Sequence, residues 1–136
     1  MHKLLGLCFL SFFISNLCFA QINISENHTI NDLHQQMKDG TLTSEALVQF
    51  YLARIDNIDK NNATLNAVSQ LNKQALAQAK SLDARFKKSG FVGPLHGIPV
   101  LLKDNIDTLD GMASTAGSYA LANNYPKNNA FFVEQL

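Results

Sequence analysis

The side chain with the clearest chemical potential in this sequence is Lys103, which follows a short apolar run and opens a polar turn. Residues 98–102 read IPVLL, and Lys103 is followed directly by Asp104 and Asn105. The apolar run predicts a buried strand, and desolvation of an ammonium group at the end of a strand favours its neutral form. A neutral lysine amine accepts protons, so the pattern is typical of a general base. Lysines at strand ends are more commonly solvated, however, so position alone does not establish catalysis.

Asp104 and Asn105 are interpreted as supporting residues rather than as reacting groups. A carboxylate paired with Lys103 would stabilise the charged form of the amine. We therefore expect Asp104 to point away from it, and to accept backbone amides or fix the turn. A Ser-His-Asp triad of Ser114, His96 and Asp104 is a weaker hypothesis, because the roles in such a triad depend on geometry that spacing does not give.

Composition and motifs exclude several other kinds of site. The chain has 136 residues with 11 basic and 11 acidic side chains, so no basic surface is expected for nucleic acid. No metal centre or cofactor is predicted. His28, His34 and His96 form no ligand-like cluster in the sequence, and both cysteines lie in the first twenty residues, so residues 21–136 offer no thiolate ligand. The glycines do not form a phosphate-binding loop that opens a helix.

Residues 1–20 have the layout of a secretory signal peptide. The segment starts with basic residues, continues with an apolar run over residues 4–17 and ends with small residues before residue 21. This order is typical of a signal peptide. We predict cleavage after Ala20 and export of residues 21–136 to the periplasm or the cell exterior. The run is shorter than a membrane-spanning helix, so no stable anchor is expected. A transmembrane anchor and a lipoprotein modified at Cys18 are the weaker alternatives.

The elements that must position Lys103 are predicted in the order helix, helix, strand, helix, strand. Three segments share a capping side chain and an apolar stripe at helical spacing; they follow Thr29, Thr43 and Asn72 and extend to Asp39, Ile58 and Ser89. Residues 65–71 and 98–102 are predicted as strands. Helical turns are expected at residues 119–122 and from residue 128, where a helix begins without a stop signal, so we expect the chain to be truncated.

The block GPLHGIPVLLKDNID, residues 93–107, closely resembles the lysine region of the amidase signature family, and GMASTAGS at residues 111–118 continues the resemblance. Members of this family hydrolyse carbon–nitrogen amide bonds. The similarity extends upstream through the YLARI helix end, the NAV segment and the third predicted helix, and downstream to residues 130–136. It covers nearly all of residues 21–136 and is strongest to exported, peptide-amidase-like bacterial proteins.

The resemblance implies an α/β fold, a mixed β-sheet surrounded by helices, of which residues 21–136 supply an incomplete N-terminal part. It also implies a Ser-cisSer-Lys triad in which Lys103 is the general base. In the family both serines lie downstream of the matched region, and Ser114 and Ser118 match no nucleophile position. We therefore expect this chain by itself to be inactive, and the longer protein to act on a small-molecule or peptide amide without a cofactor.

Two other functions stay open. One is a non-catalytic secreted binding or scaffold fragment, and the other is a protein similar to the A subunit of the amidotransferases, which shares the lysine motif. Predicted export argues against the second, because the partners of that protein are cytosolic. A cis-serine and a Gly/Ser-rich nucleophile loop in downstream sequence would favour the amidase. Neither the particular amide nor the oligomeric state follows from the residues.

Overall fold

A computed structural model describes residue 24 and residues 27–62 and 65–136; the predicted signal peptide, residues 1–20, lies outside these ranges. The described elements are three α-helices, one π-helical segment that continues the second helix, and two 3₁₀ turns: α1 (Ile30–Lys38), α2 (Ser44–Arg54), Ile55–Asn62, α3 (Ala75–Ser89), Tyr119–Leu121 and Val133–Gln135. The helical turn predicted at residues 119–122 is confirmed, whereas the C-terminal helix predicted from residue 128 is reduced to one 3₁₀ turn. No helix within the described ranges is long and apolar enough to cross a bilayer.

Helix α1 begins at a capping box, in which the side chains of Thr29 and Asp32 each accept a hydrogen bond from the backbone amide of the other residue. Asp32 N donates to Thr29 Oγ1 at 3.2 Å, and Thr29 N donates to Asp32 Oδ2 at 2.9 Å. These bonds satisfy amides that have no partner inside the helix. The predicted cap at Thr29 and the helix end at Asp39 are both confirmed.

Helix α2 has two caps, one local and one from a distant part of the chain. Ala46 N donates to Thr43 Oγ1 at 3.1 Å, which confirms the predicted N-cap. The carboxylate of Asp83, on α3, accepts from Ser44 N at 2.7 Å and from Glu45 N at 3.0 Å. A carboxylate at a helix N-terminus also interacts favourably with the helix dipole, so Asp83 fixes α3 against the start of α2.

Replacing Asp83 with alanine is expected to lower the free energy of unfolding by about 1–2 kcal/mol, because two amides at the start of α2 lose their acceptor. Urea denaturation followed by circular dichroism measures the change. Asp110→Ala is the matched control. Among the described residues Asp110 accepts one long side-chain bond, from Gln78 at 3.4 Å on the surface, and its loss should cost less than about 0.5 kcal/mol. Equal losses in the two variants would contradict the capping role.

The third helix differs from its prediction at one end. Its N-cap is Gln74, without a side-chain capping bond, and not Asn72. The Asn72 side chain instead organises the preceding turn, where its Oδ1 accepts from Gln74 N at 2.8 Å. The predicted C-terminus is confirmed, because Gly90 follows Ser89 with φ +77° and donates to Phe86 O at 2.8 Å. Glycine adopts this left-handed conformation without strain.

The core lies between α1, α2 and the segment that follows α3. Its fully apolar members are buried at the centre: Leu33, Met37, Leu42 and Leu47. Phe91 and Ile98 pack against this cluster from the segment after α3. In addition, the His34 ring stacks on Phe91 at 4.3 Å, and its Nε2 bonds His96 O at 2.9 Å. The segment leading to Lys103 is therefore attached to the helices at residues 91–98.

Neither predicted strand forms within the described ranges, so the predictions for residues 65–71 and 98–102 are wrong for this chain. A strand is stabilised by pairing its backbone groups with a neighbour, and no described segment forms a ladder with either run. Val100 and Leu101 are 48% and 77% exposed. The described chain is accordingly helical with long irregular segments, and the mixed sheet implied by the resemblance is not formed by these residues.

Candidate active site

Lys103 lies on the surface at the start of a tight turn. Its carbonyl accepts a hydrogen bond from Ile106 N at 3.0 Å, and its side chain is exposed. Within the described residues, its amine has neither a hydrogen bond nor an ion pair. The expected burial of Lys103 is wrong for this chain, because no described strand lies beside the preceding run to cover it. The amine is accessible, and no carboxylate of the described residues is paired with it.

Asp104 directs its carboxylate toward residues 113–117, which we call loop 113–117. Oδ2 accepts from the Thr115 hydroxyl and from Gly117 N at 3.2 Å, while Oδ1 accepts from Thr115 N at 3.4 Å. The Asp104 carbonyl also accepts from Ala116 N at 3.2 Å. Asp104 therefore accepts backbone amides, as the sequence analysis expected, and any part it has in catalysis stays a prediction.

Gln70 is a site residue that sequence reasoning missed. Its Nε2 donates to Ala113 O at 2.8 Å and its Oε1 accepts from Ala113 N at 2.9 Å. The same Nε2 donates to Asp104 Oδ1 at 3.3 Å. One side-chain amide thus joins loop 113–117 to the turn that carries Lys103. A polar residue in the alternating segment 65–71 was the only signal, and it did not indicate a partner 34 positions away.

The backbone amides of loop 113–117 are already occupied. Thr115, Ala116 and Gly117 all donate to Asp104, and Ser118 N donates to Thr115 O at 2.8 Å. Ala116 and Gly117 both have positive φ, +49° and +74°, which turns successive amides toward the Asp104 carboxylate and carbonyl. An oxyanion hole requires N–H groups free to bind a developing charge, so residues 115–118 do not supply one in this structure.

The alternative Ser-His-Asp triad is wrong for these residues. Ser114 donates its hydroxyl to Ile106 O at 3.3 Å, so the hydroxyl is not bonded to a base. His96 is buried, with its Nε2 bonded to Leu82 O at 3.2 Å. A triad needs a hydrogen bond between the nucleophile and the imidazole, and both groups are bonded to backbone carbonyls instead.

Asn105 is the remaining residue of the predicted site. It lies inside the turn closed by Lys103 and Ile106, and its side chain is exposed. It makes no side-chain hydrogen bond within the described residues, so its supporting role stays a prediction. Nor does any group of three or more His, Cys, Asp and Glu side chains in those residues have an arrangement that could hold a metal ion.

Hydrogen bonding holds the pKa of the Asp104 carboxyl below its usual value. The Thr115 hydroxyl is the largest cause, and the Gly117 and Thr115 amides and the Gln70 side chain act in the same direction, while partial desolvation opposes them. All four donors stabilise the ionised carboxylate more than the acid. Asp104 is therefore an anion over the whole physiological pH range, and its contacts with loop 113–117 are charge-assisted.

We expect loop 113–117 to loosen in acid, as the pH falls through the lowered pKa of Asp104. A carboxyl whose pKa is lower in the folded state contributes stability above its unfolded pKa and loses that contribution as it protonates. Protection factors for the Thr115 and Gly117 amides, measured by hydrogen exchange, report the change. Asp104→Asn has no titrating group at this position, so its protection should not vary over the same pH interval. Wild-type protection that is constant there would contradict the role of the ionised carboxylate.

Comparison with known proteins places these residues in a family. The model of the family described as Amidase matches residues 46–136, which include Lys103 and loop 113–117. A putative amidase of Schizosaccharomyces pombe is 41% identical over 111 residues, covering 82% of this chain and 18% of that protein. The A subunit of the glutamyl-tRNA(Gln) amidotransferase of Exiguobacterium sibiricum is 39% identical over 109 residues, covering 80% of this chain and 22% of that protein.

A solved structure agrees with the sequence matches. The crystal structure of native peptide amidase from Stenotrophomonas maltophilia superposes with a TM-score of 0.78 at 41% identity, over 82% of this chain and 22% of that one. The chain thus spans only 18% to 22% of the length of these relatives. Over that 82% of its length, the chain is similar in fold to part of a known amidase. We conclude that the chain belongs to the amidase signature family.

Proposed function

We propose that this chain is the lysine-bearing, N-terminal part of an exported amidase that hydrolyses carbon–nitrogen amide bonds. The observation that carries the proposal is the position of Lys103 within the matched family region. Its amine is exposed and unpaired in the described chain, on a turn that Asp104 ties to loop 113–117. A carboxylate paired with the amine would favour its charged form, and no described carboxylate is paired with Lys103.

In the proposed mechanism, Lys103 acts as the base of a Ser-cisSer-Lys triad. The neutral amine takes a proton from a bridging serine, and that serine takes the proton of the nucleophilic serine as its oxygen attacks the amide carbon. The carbon–nitrogen bond breaks, the leaving nitrogen receives a proton, and water then hydrolyses the acyl-enzyme. Both serines are proposed to lie in the remaining length of the protein, outside the 18% to 22% of its relatives that this chain spans, so the chain alone is proposed to be inactive.

The exposed apolar run before Lys103 supports this division of the site. Val100 and Leu101 present large apolar surfaces to solvent, which is unfavourable unless another part of the protein covers them. We propose that the rest of the amidase domain covers this run. The same contact would exclude water from the Lys103 amine and favour its neutral, proton-accepting form.

The proposed substrate is a small-molecule or peptide amide, with no cofactor. The similarity of 82% of this chain to the peptide amidase of Stenotrophomonas maltophilia supports a peptide amide as the substrate. The test uses the full-length protein, meaning the product of the complete gene that contains this sequence. It is incubated with a C-terminal peptide amide, an aliphatic amide and an aromatic amide, and ammonia release is measured. Folded protein that releases no ammonia from any of the three would contradict the proposal.

A second candidate is the A subunit of an amidotransferase, which the 39% identity to the Exiguobacterium sibiricum protein favours. The predicted signal peptide argues against it, because that class works with cytosolic partners. Fusing residues 1–20 to a reporter that is active only after export discriminates between the two. Reporter activity that depends on these residues supports the exported amidase. A fusion retained in the cytosol, together with release of ammonia from glutamine in place of other amides, would favour the amidotransferase.

A further inference from the structure

We propose that Gln70 and Asp104 form a positioning pair for Lys103, an inference that rests on the proposed amidase function. Neither residue is proposed to touch the substrate. Together they hold the turn at residues 103–106 in a fixed relation to loop 113–117. Lys103 directly precedes Asp104, so contacts that hold Asp104 also restrict the position of the Lys103 Cα.

The first step of the argument is that Asp104 is anchored through two different groups. Its carboxylate accepts from Thr115 and Gly117, and its carbonyl accepts from Ala116. Contacts at both the side chain and the main chain restrict the rotation of a residue more than contacts at either one alone. Lys103 is the preceding residue, and its own carbonyl is held by Ile106 N at 3.0 Å. The Cα of Lys103, from which its side chain starts, is therefore restrained through its own carbonyl and through Asp104.

The second step is that Gln70 uses the whole hydrogen-bonding capacity of its amide nitrogen. The two N–H groups of a glutamine side chain allow two donated bonds, and those of Gln70 go to Ala113 O and Asp104 Oδ1. Its oxygen accepts from Ala113 N. The pairing with Ala113 in both directions takes the place of a rung between two strands. It joins residues 65–71 to loop 113–117, where neither segment has regular structure of its own.

The third step is the effect of such an arrangement on a general base. Proton transfer depends steeply on the distance between base and hydroxyl, and a misplacement of about 1 Å costs on the order of 100-fold in rate. A lysine side chain has four rotatable bonds, so its amine can be placed accurately only if its Cα is. Residues 98–102 do not provide this constraint, because they form no strand in the described chain. The packing of residues 91–98 on the helices ends five residues before Lys103, whereas the Gln70–Asp104 contacts act on the adjacent residue.

The test compares the full-length wild-type protein with Gln70→Ala, Gln70→Glu and Asp104→Asn. The last two variants keep the shape of the side chain, so each alters hydrogen bonds with little change in packing. We expect kcat for amide hydrolysis to fall about 10- to 100-fold in all three, while KM changes by less than about twofold. Gln78→Ala is the matched control: it also removes a glutamine–aspartate bond, to Asp110 on the surface, and should leave kcat unchanged.

A second measurement separates positioning from a general structural role. In a Lys103→Ala background, Gln70→Ala should have no further effect on the residual rate, because the pair acts only through the Lys103 amine. A further fall in the residual rate would overturn the inference, and so would an unchanged kcat in the Gln70 and Asp104 variants of an active wild-type protein. Wild-type protein that folds but hydrolyses no amide would overturn the proposed function, and the inference with it.

Discussion

Replacing Lys103 with alanine is expected to lower kcat/KM for amide hydrolysis in the full-length protein by about 10²- to 10⁴-fold, because the nucleophilic serine loses the base that accepts its proton. The fold should not change, since the Lys103 side chain is exposed and makes no hydrogen bond or ion pair in the described residues. Steady-state kinetics measure the rate, and the thermal unfolding midpoint verifies that the variant is folded.

Lys103→Arg separates the loss of the base from the loss of a positive charge. An arginine keeps the charge but does not give up its proton at any pH that the protein tolerates, so this variant should lose as much activity as Lys103→Ala. Lys80→Ala is the control, because Lys80 is an exposed lysine on α3 whose ion pair at 3.3 Å is with Glu45 on α2. Activity retained by Lys103→Arg would remove Lys103 from the base role and leave it an electrostatic one.

The helices were predicted well from the sequence because their ends are determined locally. A threonine cap bonds an amide three residues ahead, as at Thr29 and Thr43, and a glycine such as Gly90 ends a helix through its own backbone freedom. Such signals are complete within a few residues. The start of α3 was predicted less well, because Asn72 has a cap-like side chain that bonds within the preceding turn.

The strands could not be predicted in the same way, because their formation depends on residues elsewhere. Residues 98–102 have the composition of a buried strand, but composition does not supply the neighbour whose backbone must pair with theirs. The chain spans 22% of the length of the solved peptide amidase. Residues 98–102 were therefore predicted to be buried from their composition. Val100 and Leu101 are exposed because no described strand pairs with this run.

The candidate site shows the same difference between local and distant determinants. Lys103 was singled out by its type, by its position after an apolar run and by the resemblance of residues 93–107 to the lysine region of the amidase signature family. The carboxylate of Asp104 was expected to accept amides. Both predictions require only neighbouring residues. Gln70 acts across 34 positions to Asp104 and 43 to Ala113. A glutamine in an irregular segment has no local feature that indicates such a contact. The contacts of Gln70 could therefore not be predicted from the sequence.

The second large effect is expected at Gly97, where the Lys103 segment meets the start of α2. Gly97 has φ +74°, and a Cβ atom at this position would overlap Ser44 Oγ and lie 3.0 Å from Ser44 Cβ. Ser44 is 1% exposed and cannot move into solvent without disrupting the core. Gly97→Ala is therefore expected to lower the free energy of unfolding by about 3 kcal/mol or more, from backbone strain and overpacking together.

Three further variants resolve this loss into its causes, with urea denaturation as the measurement. Gly111→Ala has a similar φ of +75° but open space around the added atom, so it should cost about 1–2 kcal/mol from strain alone. Gly93→Ala has neither feature and should change stability by less than about 1 kcal/mol. Adding Ser44→Gly to Gly97→Ala removes the overlap, together with a buried hydroxyl that has no hydrogen-bond partner among the described residues. This second change should bring the loss close to that of Gly111→Ala. If Gly97→Ala and Gly111→Ala, each made alone, lower the free energy of unfolding equally, residues 91–98 can move away from α2. Close packing would then not hold the segment that carries Lys103.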